Sequence, residues 1–315
     1  MIRIYQKGTN VVEKFTALPA KGELSGLIWV DLQDPTIEEI EQIETAFVID
    51  VPTRIQQEEI EWSSRYTETG QYIVANSNFI QYTEPANYKT IHVSFVIKGD
   101  LLITYREGDL YSFADCVKRI KTNPKPFHSG KYIFIVILET RIDFDADLLE
   151  YLSKQIQAMG KNLNSTNGKQ AVLLKQITDL QETALMVRQN IMDKHRVVSS
   201  MLRSTMFNDK EKARMQIMIE DMNSLIDHTN FIFTRLDYLQ ESFLGMINID
   251  LNRIIKIFTV ISVVFMPPTL IASMYGMNFK FMPELNWRYG YPFAILLMIV
   301  ASAVTLFIFK KRKWL

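Results

Sequence analysis

The sequence predicts an α+β domain followed by a long helical stalk and two C-terminal transmembrane helices. Three observations carry that reading. Short β-rich runs fill the first 130 residues, apolar positions take helical spacing from about residue 131 onward, and residues 257–279 and 289–309 contain no charged side chain. A bilayer core of about 30 Å needs about 20 apolar residues of helix, and both runs meet that length. The alternative is a pair of buried core helices, which basic and aromatic flanks argue against.

MIRIYQ and GLIWVDL read as strands. Pro35 is expected in the first turn of a helix running through TIEEIEQIETAF, its acids near the positive end of the helix dipole. YIVANSNFIQY, TIHVSFVIK and LLITYRE follow as consecutive strands, with Gly99-Asp100 as a tight hairpin turn between the last two. A helix over 109–122 stops at Asn123-Pro124. KYIFIVILETRIDFDADLLEYLSKQIQAMGKNL reads as a long helix whose β-branched opening leaves a strand start open. Gly160 to Gly168 forms a polar turn, a second long helix covers 169–203, and Phe207-Asn208-Asp209 marks a break with a cap.

The third helix shows no stop before the apolar segment. Met215, Met218, Met222, Leu225, Thr229, Ile232, Leu236, Leu239, Phe243, Met246 and Leu251 recur mostly three and four apart, a seam of heptad type. From Asp209 to Tyr275 such a helix spans roughly 100 Å at the usual rise. It needs partners, either its own hairpin or copies of itself. The divisions expected are a cytoplasmic α/β domain (1–130), long helices and stalk (131–252), a first transmembrane helix (253–275), an extracytoplasmic loop (276–289), a second transmembrane helix (290–309) and a basic tail (310–315).

Charge sets the orientation. Lys310, Lys311, Arg312 and Lys313 follow the second span, and positive charge stays on the cytoplasmic side. With two spans, both termini are expected in the cytoplasm. Tyr275, Trp287, Tyr289 and Tyr291 suit the outer interface and Trp314 the inner one. Formal net charge is zero, so no basic field calls for nucleic acid. The single cysteine, Cys116, excludes an internal disulfide, and the N-terminus shows no signal-peptide pattern.

Asn252, Thr259, Met266 and Ser273 lie seven residues apart on one helix face, with Ser262 and Thr269 beside them. Small polar residues of this kind also serve helix packing in membranes. The functional alternative is a pore lined by hydroxyls, amides and backbone carbonyls. Such a pore suits a cation that keeps its water, as magnesium does. Neither charge-free run, 257–279 or 289–309, contains Asp, Glu, His or Arg, which excludes a buried proton relay built on them. Met266 precedes Pro267-Pro268 and suits an apolar constriction, and the prolines free carbonyls that can face water or ion.

At Tyr275-Gly276-Met277-Asn278, followed by Met282-Pro283-Glu284-Leu285 and the terminal KKRKWL, the chain resembles the CorA family of magnesium and cobalt transporters. The detailed match covers roughly residues 240–315. The resemblance implies a homopentameric funnel in the inner membrane, its pore made by five first spans with the second spans around them. Gly276, Met277 and Asn278 would form the outer mouth, with Glu284 concentrating cations. Asn252, Ile255, Thr259, Ser262, Met266, Thr269 and Ser273 would line the pore, and Lys310 to Lys313 would ring its inner end. The cargo implied is hydrated Mg2+, with Co2+ and then Ni2+ beside it. Cytoplasmic Mg2+ would gate it at acidic sites, for which Glu220, Asp221 and Asp227 are candidates, as are Asp143, Asp145 and Asp147. No organic cofactor is implied. An enzyme finds no support: there is no phosphate-binding glycine loop, no zinc-binding histidine pair and no nucleophile motif, and His92, His128, His195 and His228 are scattered. A zinc transporter of the same fold and a membrane-anchored coiled-coil scaffold stand as rival readings.

Overall fold

A computed structural model of the chain describes residues 1–6, 26–53, 56, 65–84, 87–162, 170–278, 280 and 282–312. The chain divides into two compact units, Met1–Leu239 and Gln240–Leu315. The first opens with strands β1 (Ile2–Gln6) and β2 (Leu27–Gln33), helix α1 (Ile37–Phe47) and strands β3 (Tyr66–Glu68), β4 (Ile73–Glu84), β5 (Asn87–Lys98) and β6 (Leu101–Arg106). Helices α2 (Tyr111–Thr122), α3 (Gly130–Asn162) and α4 (Gln170–Arg203) follow. Helix α5 (Asp209–Tyr275) runs on through the second unit, which ends in α6 (Gly290–Lys311).

The six strands lie in the order β1-β2-β6-β5-β4-β3. Only β2 and β6 are parallel neighbours; the other pairs are antiparallel. Every residue of β2 from Leu27 to Leu32 is buried, so this strand is covered on both faces. Val30 and Leu32 join Ile43, Val96 and Ile103 in an apolar cluster with α1. The alternate residues, Trp29 and Asp31, serve the other face. Trp29 stacks on Tyr5 with ring centroids 4.5 Å apart and donates to Thr104 Oγ1 at 3.0 Å. Asp31 takes both arms of the buried Arg106 guanidinium, at 3.1 and 2.9 Å. Cys116 on α2 is buried here too, and burial pushes its thiol up to about 12.

Several expectations shift. Thr36, not Pro35, caps α1: its side chain accepts from Glu39 N while Glu39 reaches back to Thr36 N, and Pro35 stands outside the helix. The hairpin at Gly99 holds, with Lys98 paired to Leu101 and Gly99 at φ 60°. Strand β3 is an addition; three residues carry too little alternation to be read. The run KYIFIVIL is helical from its start. Ile133 to Leu138 are all buried, and a run buried on every side looks alike in helix and strand. Asn208 and Glu211 form the expected cap of α5, each bonding the other's backbone N–H, at 2.9 and 3.0 Å.

Within the first unit the seam of α5 turns inward onto its own hairpin: Met215, Met218, Met222, Thr229, Ile232, Leu236 and Leu239 are buried and Leu225 is half-buried. Further along the helix Phe243 is buried, Met246 half-buried and Leu251 exposed. Side chains tie α5 to both partners within the first unit: His228 meets Ser153 of α3 at 3.1 Å, and Arg188 of α4 lies over the Phe233 ring. The apolar stripe therefore stops about two turns short of its sequence expectation.

A buried ionic network joins α3, α4 and the sheet. Arg141 donates to Ile80 O at 2.6 Å and pairs with Asp145 at 2.5 Å; Lys194 reaches the other Asp145 oxygen at 3.0 Å. Asp193 pairs with Arg65 at 3.1 Å and accepts from Asn78 N at 2.7 Å. Burial pushes the Lys194 ammonium down to about 8, against the pull of Asp145. Because the unfolded chain holds that proton up to about 10.5, stability gains as pH rises from about 8 to 10.5. The wild-type unfolding midpoint is therefore expected to gain over that of Lys194→Met across this window. Parallel curves for the two proteins would contradict the assignment.

Candidate functional site

The C-terminal unit holds two long apolar helical windows, one in α5 and one in α6, and only 0% and 6% of them is buried in the chain. A core helix of a soluble protein would be mostly covered, so the alternative of two buried core helices fails. Neither helix meets the water-facing demand for polar groups, whereas a helix satisfies its own backbone in lipid.

Within α5 the two faces differ. Val260, Val263, Val264, Pro267, Pro268, Ile271 and Tyr275 are partly covered. On α6 the covered positions are Gly290, Ala294, Met298, Ala301, Ser302, Thr305 and Phe309, mostly small side chains that permit close helix approach. Asn252, Ile255, Thr259, Ser262, Met266, Thr269 and Ser273 are all exposed. At 3.6 residues per turn they occupy roughly a 100° arc, nearly opposite the covered face. The polar stripe therefore does not serve packing between the two spans of one chain. Thr259 and Thr269 turn their hydroxyl protons back to Ile255 O and Phe265 O, at 2.8 and 2.7 Å, leaving oxygen lone pairs outward.

The proline pair departs from expectation. An α-helical N–H bonds the carbonyl four residues earlier, so Pro267 and Pro268 release Val263 O and Val264 O. Val264 O accepts from Ser302 Oγ at 3.1 Å. It faces α6, not the exposed stripe, which removes it from the carbonyls available to a pore. The sequence did hold a signal for this: a proline four residues after an apolar position, and a serine in the opposite span.

At the C-terminal end of α5, Gly276 N donates to Ala272 O at 2.9 Å and Met277 N to Met274 O at 3.3 Å, so the chain leaves the helix in a tightening turn. Gly276 has no positive φ; its constraint is space, since a Cβ there would stand 3.2 Å from Ala272 O. Met277 and Asn278 are exposed beyond it. Glu284 is exposed in a short 3-10 turn, Pro283–Asn286. Trp287 packs with Tyr289 and Phe293, ring centroids 6.3 and 5.7 Å apart, placing the aromatic cluster at the start of α6. Lys310 and Lys311 lie in the last turn of α6 and Arg312 caps it, while Lys313 lies outside the described residues, as does Trp314.

The acidic candidates separate. Asp145 is wholly buried and held by Arg141 and Lys194, so it serves the ionic network and is corrected as a metal ligand. Glu220, Asp221 and Asp227 are exposed on α5, with Gln216 donating to Glu220 at 3.3 Å. Asp143 and Asp147 are exposed on α3. Partial burial raises the Asp143 carboxyl, and Glu139, Asp147 and Asp221 add to the rise against Arg119. Asp221 thus shares one negative field with Asp143 and Asp147. Among the described residues no three acidic, histidine or cysteine groups converge closely enough to hold a metal. Each histidine has a local polar partner, Asn78 for His92, Pro126 O for His128, Ser199 for His195 and Ser153 for His228.

Residues 25–311 match the family described as CorA-like Mg2+ transporter protein. The chain is 36% identical over 321 residues to the magnesium transport protein CorA of Wolinella succinogenes, with 100% of both chains covered. Its fold matches the complete CorA magnesium transporter of Methanocaldococcus jannaschii with a TM-score of 0.82 at 20% identity, covering 99% of this chain and 98% of that one. The cytoplasmic domain of ZntB from Vibrio parahaemolyticus is a more distant likeness, with a TM-score of 0.54 at 11% identity over 70% of this chain and 87% of that one.

Proposed function

The chain belongs to the CorA-like Mg2+ transporter family, a family of membrane transporters and not of enzymes, and from that membership we propose that it is a channel for hydrated Mg2+. The observation that carries the proposal is the polar stripe of α5, exposed opposite the face that packs on α6. A face of Asn252, Thr259, Ser262, Thr269 and Ser273 has no use against lipid tails, but it suits the inside of a ring of identical helices. Five copies would enclose a pore whose hydroxyls bind the ion's water without gripping the metal. Asn278 would hold the hydrated ion at the mouth with Gly276 and Met277, and Glu284 would raise the local cation concentration. Met266 would form the narrowest apolar ring, and Lys310 to Lys313 the basic inner one.

In this reading residues 1–130 form a cytoplasmic domain and 131–252 the stalk. Residues 253–275 and 290–309 are the spans, with 276–289 between them outside and 310–315 back in the cytoplasm. The membrane would be the inner one. Cytoplasmic Mg2+ would close the ring at exposed carboxylates of α5; Asp221, in the field of Asp143 and Asp147, is the favoured member over Glu220 and Asp227. Divalent charge would relieve a repulsion that loosens the ring when Mg2+ is scarce.

The test is flux into liposomes carrying the purified chain, with Mg2+, Co2+, Ni2+ and Zn2+ compared side by side. Mg2+ and Co2+ are expected to enter, and the detergent-solubilised particle is expected near five times 36.7 kDa. Zn2+ flux without Mg2+ flux would favour the zinc transporter, and a monomer or dimer would remove the ring.

A further inference from the structure

Ser302 is the one described α6 side chain seen to bond the α5 backbone, and the carbonyl it takes is one that Pro268 has released. A serine in a membrane helix commonly bonds the carbonyl four residues back, as Thr305 does to Ala301 O at 2.6 Å. Ser302 is placed otherwise. Its Oγ stands 3.0 Å from Met298 O in its own helix and 3.1 Å from Val264 O in α5, so its single proton is shared between two carbonyls. The second of these has lost its helical donor. In lipid such a carbonyl has no water to turn to, and the neighbouring span supplies the donor instead.

Val264 and Pro268 lie on the covered face, while Met266, between them in sequence, is 68% exposed on the other. The bond therefore grips the back of the same helical turn that presents Met266. We infer that Ser302 is a positioning residue for ion passage. By taking the carbonyl freed at Pro268 it fixes the α5 backbone at that turn, and with it the place of the Met266 side chain. Ser302 touches no ion; it acts through the backbone of the pore helix. The inference rests on the proposed pore reading, and it makes α6 a part of the pore's geometry instead of a passive outer ring.

The logic predicts a specific non-additivity. Pro268→Ala restores an N–H that can bond Val264 O, so the hydroxyl of Ser302 becomes dispensable. In liposomes carrying the full chain, Ser302→Ala is expected to lower maximal Mg2+ uptake about three- to tenfold, the scale of one interhelical hydrogen bond. Half-saturating Mg2+ stays unchanged, because the mouth is intact. Ser302→Thr, which keeps the hydroxyl, retains wild-type uptake. Thr305→Ala, which loses only a bond within its own helix, does the same. In the Pro268→Ala background, adding Ser302→Ala changes nothing further. The same four proteins of the cycle (wild type, each single variant and the double) are expected to show this pattern in the thermal midpoint of the detergent-solubilised particle, a readout that survives loss of flux. Wild-type uptake by Ser302→Ala, or a penalty equally large beside Pro268→Ala in flux and in midpoint, would overturn the assignment. Asn278→Ala separates the two levels. If that variant is dead while Ser302→Ala is unimpaired, the pore stands and only the positioning role falls; if Asn278→Ala transports normally, the pore reading itself falls.

Discussion

Asn278→Ala is expected to abolish Mg2+ uptake by the reconstituted chain while leaving the size of the solubilised particle unchanged. The side chain is exposed at the end of α5, past the turn closed by Gly276 N on Ala272 O. Its removal leaves no buried group unsatisfied and opens no cavity, so stability has little reason to change. A hydrated divalent ion at the mouth would lose one amide carbonyl per copy. A hydrogen bond to a charged partner contributes about 1.5–3 kcal/mol, so five lost together in the proposed pentamer would exceed a hundredfold in flux. Uptake at the wild-type rate would sink the assignment of the mouth, and loss of assembly would show that Asn278 is structural.

The second large effect lies in the first unit. Asp145→Ala is expected to destabilise the protein by about 3–5 kcal/mol, because it leaves Arg141 and Lys194 as uncompensated buried cations. Hydrogen exchange should rise most in β4, whose Asn78 amide and Ile80 carbonyl are held by the same network. Adding Lys194→Met should recover part of the loss, since Arg141 alone then lacks a partner. A stability within about 0.5 kcal/mol of wild type would mean that water reaches the network. Any change in Mg2+ response of Asp145→Ala would follow from this loosening, since Asp145 has no room for an ion.

The membrane module was legible because length and charge absence are properties of a single helix. The cap of α5 at Asn208-Glu211 and the turn at Gly99 were legible for the same reason: each depends on residues within a few positions. What sequence could not give is what depends on a partner. Asp145 looked like its neighbours Asp143 and Asp147 until α4 placed Lys194 against it. The α5 seam looked continuous to Leu251, yet its buried part ends at Phe243, because a stripe in one helix does not say how far its partners extend. The carbonyls freed by Pro267 and Pro268 were predictable, but not that Ser302 takes one of them. On the site, the residues of the proposed mouth come from the family resemblance, whereas the exposure of the stripe opposite α6 required the packing of both helices.

Cys116 bears on how these ideas can be examined. It is the only thiol in the chain, it is buried on α2, and burial holds its proton up to about 12, so at neutral pH it offers almost no thiolate to a reagent. The natural protein is thus already a silent background for labelling. A cysteine placed at Asn252, Thr259, Ser262, Thr269 or Ser273 would be the sole reactive sulfur, and charged thiol reagents added from one side of the bilayer would read directly which positions water reaches, and from which side.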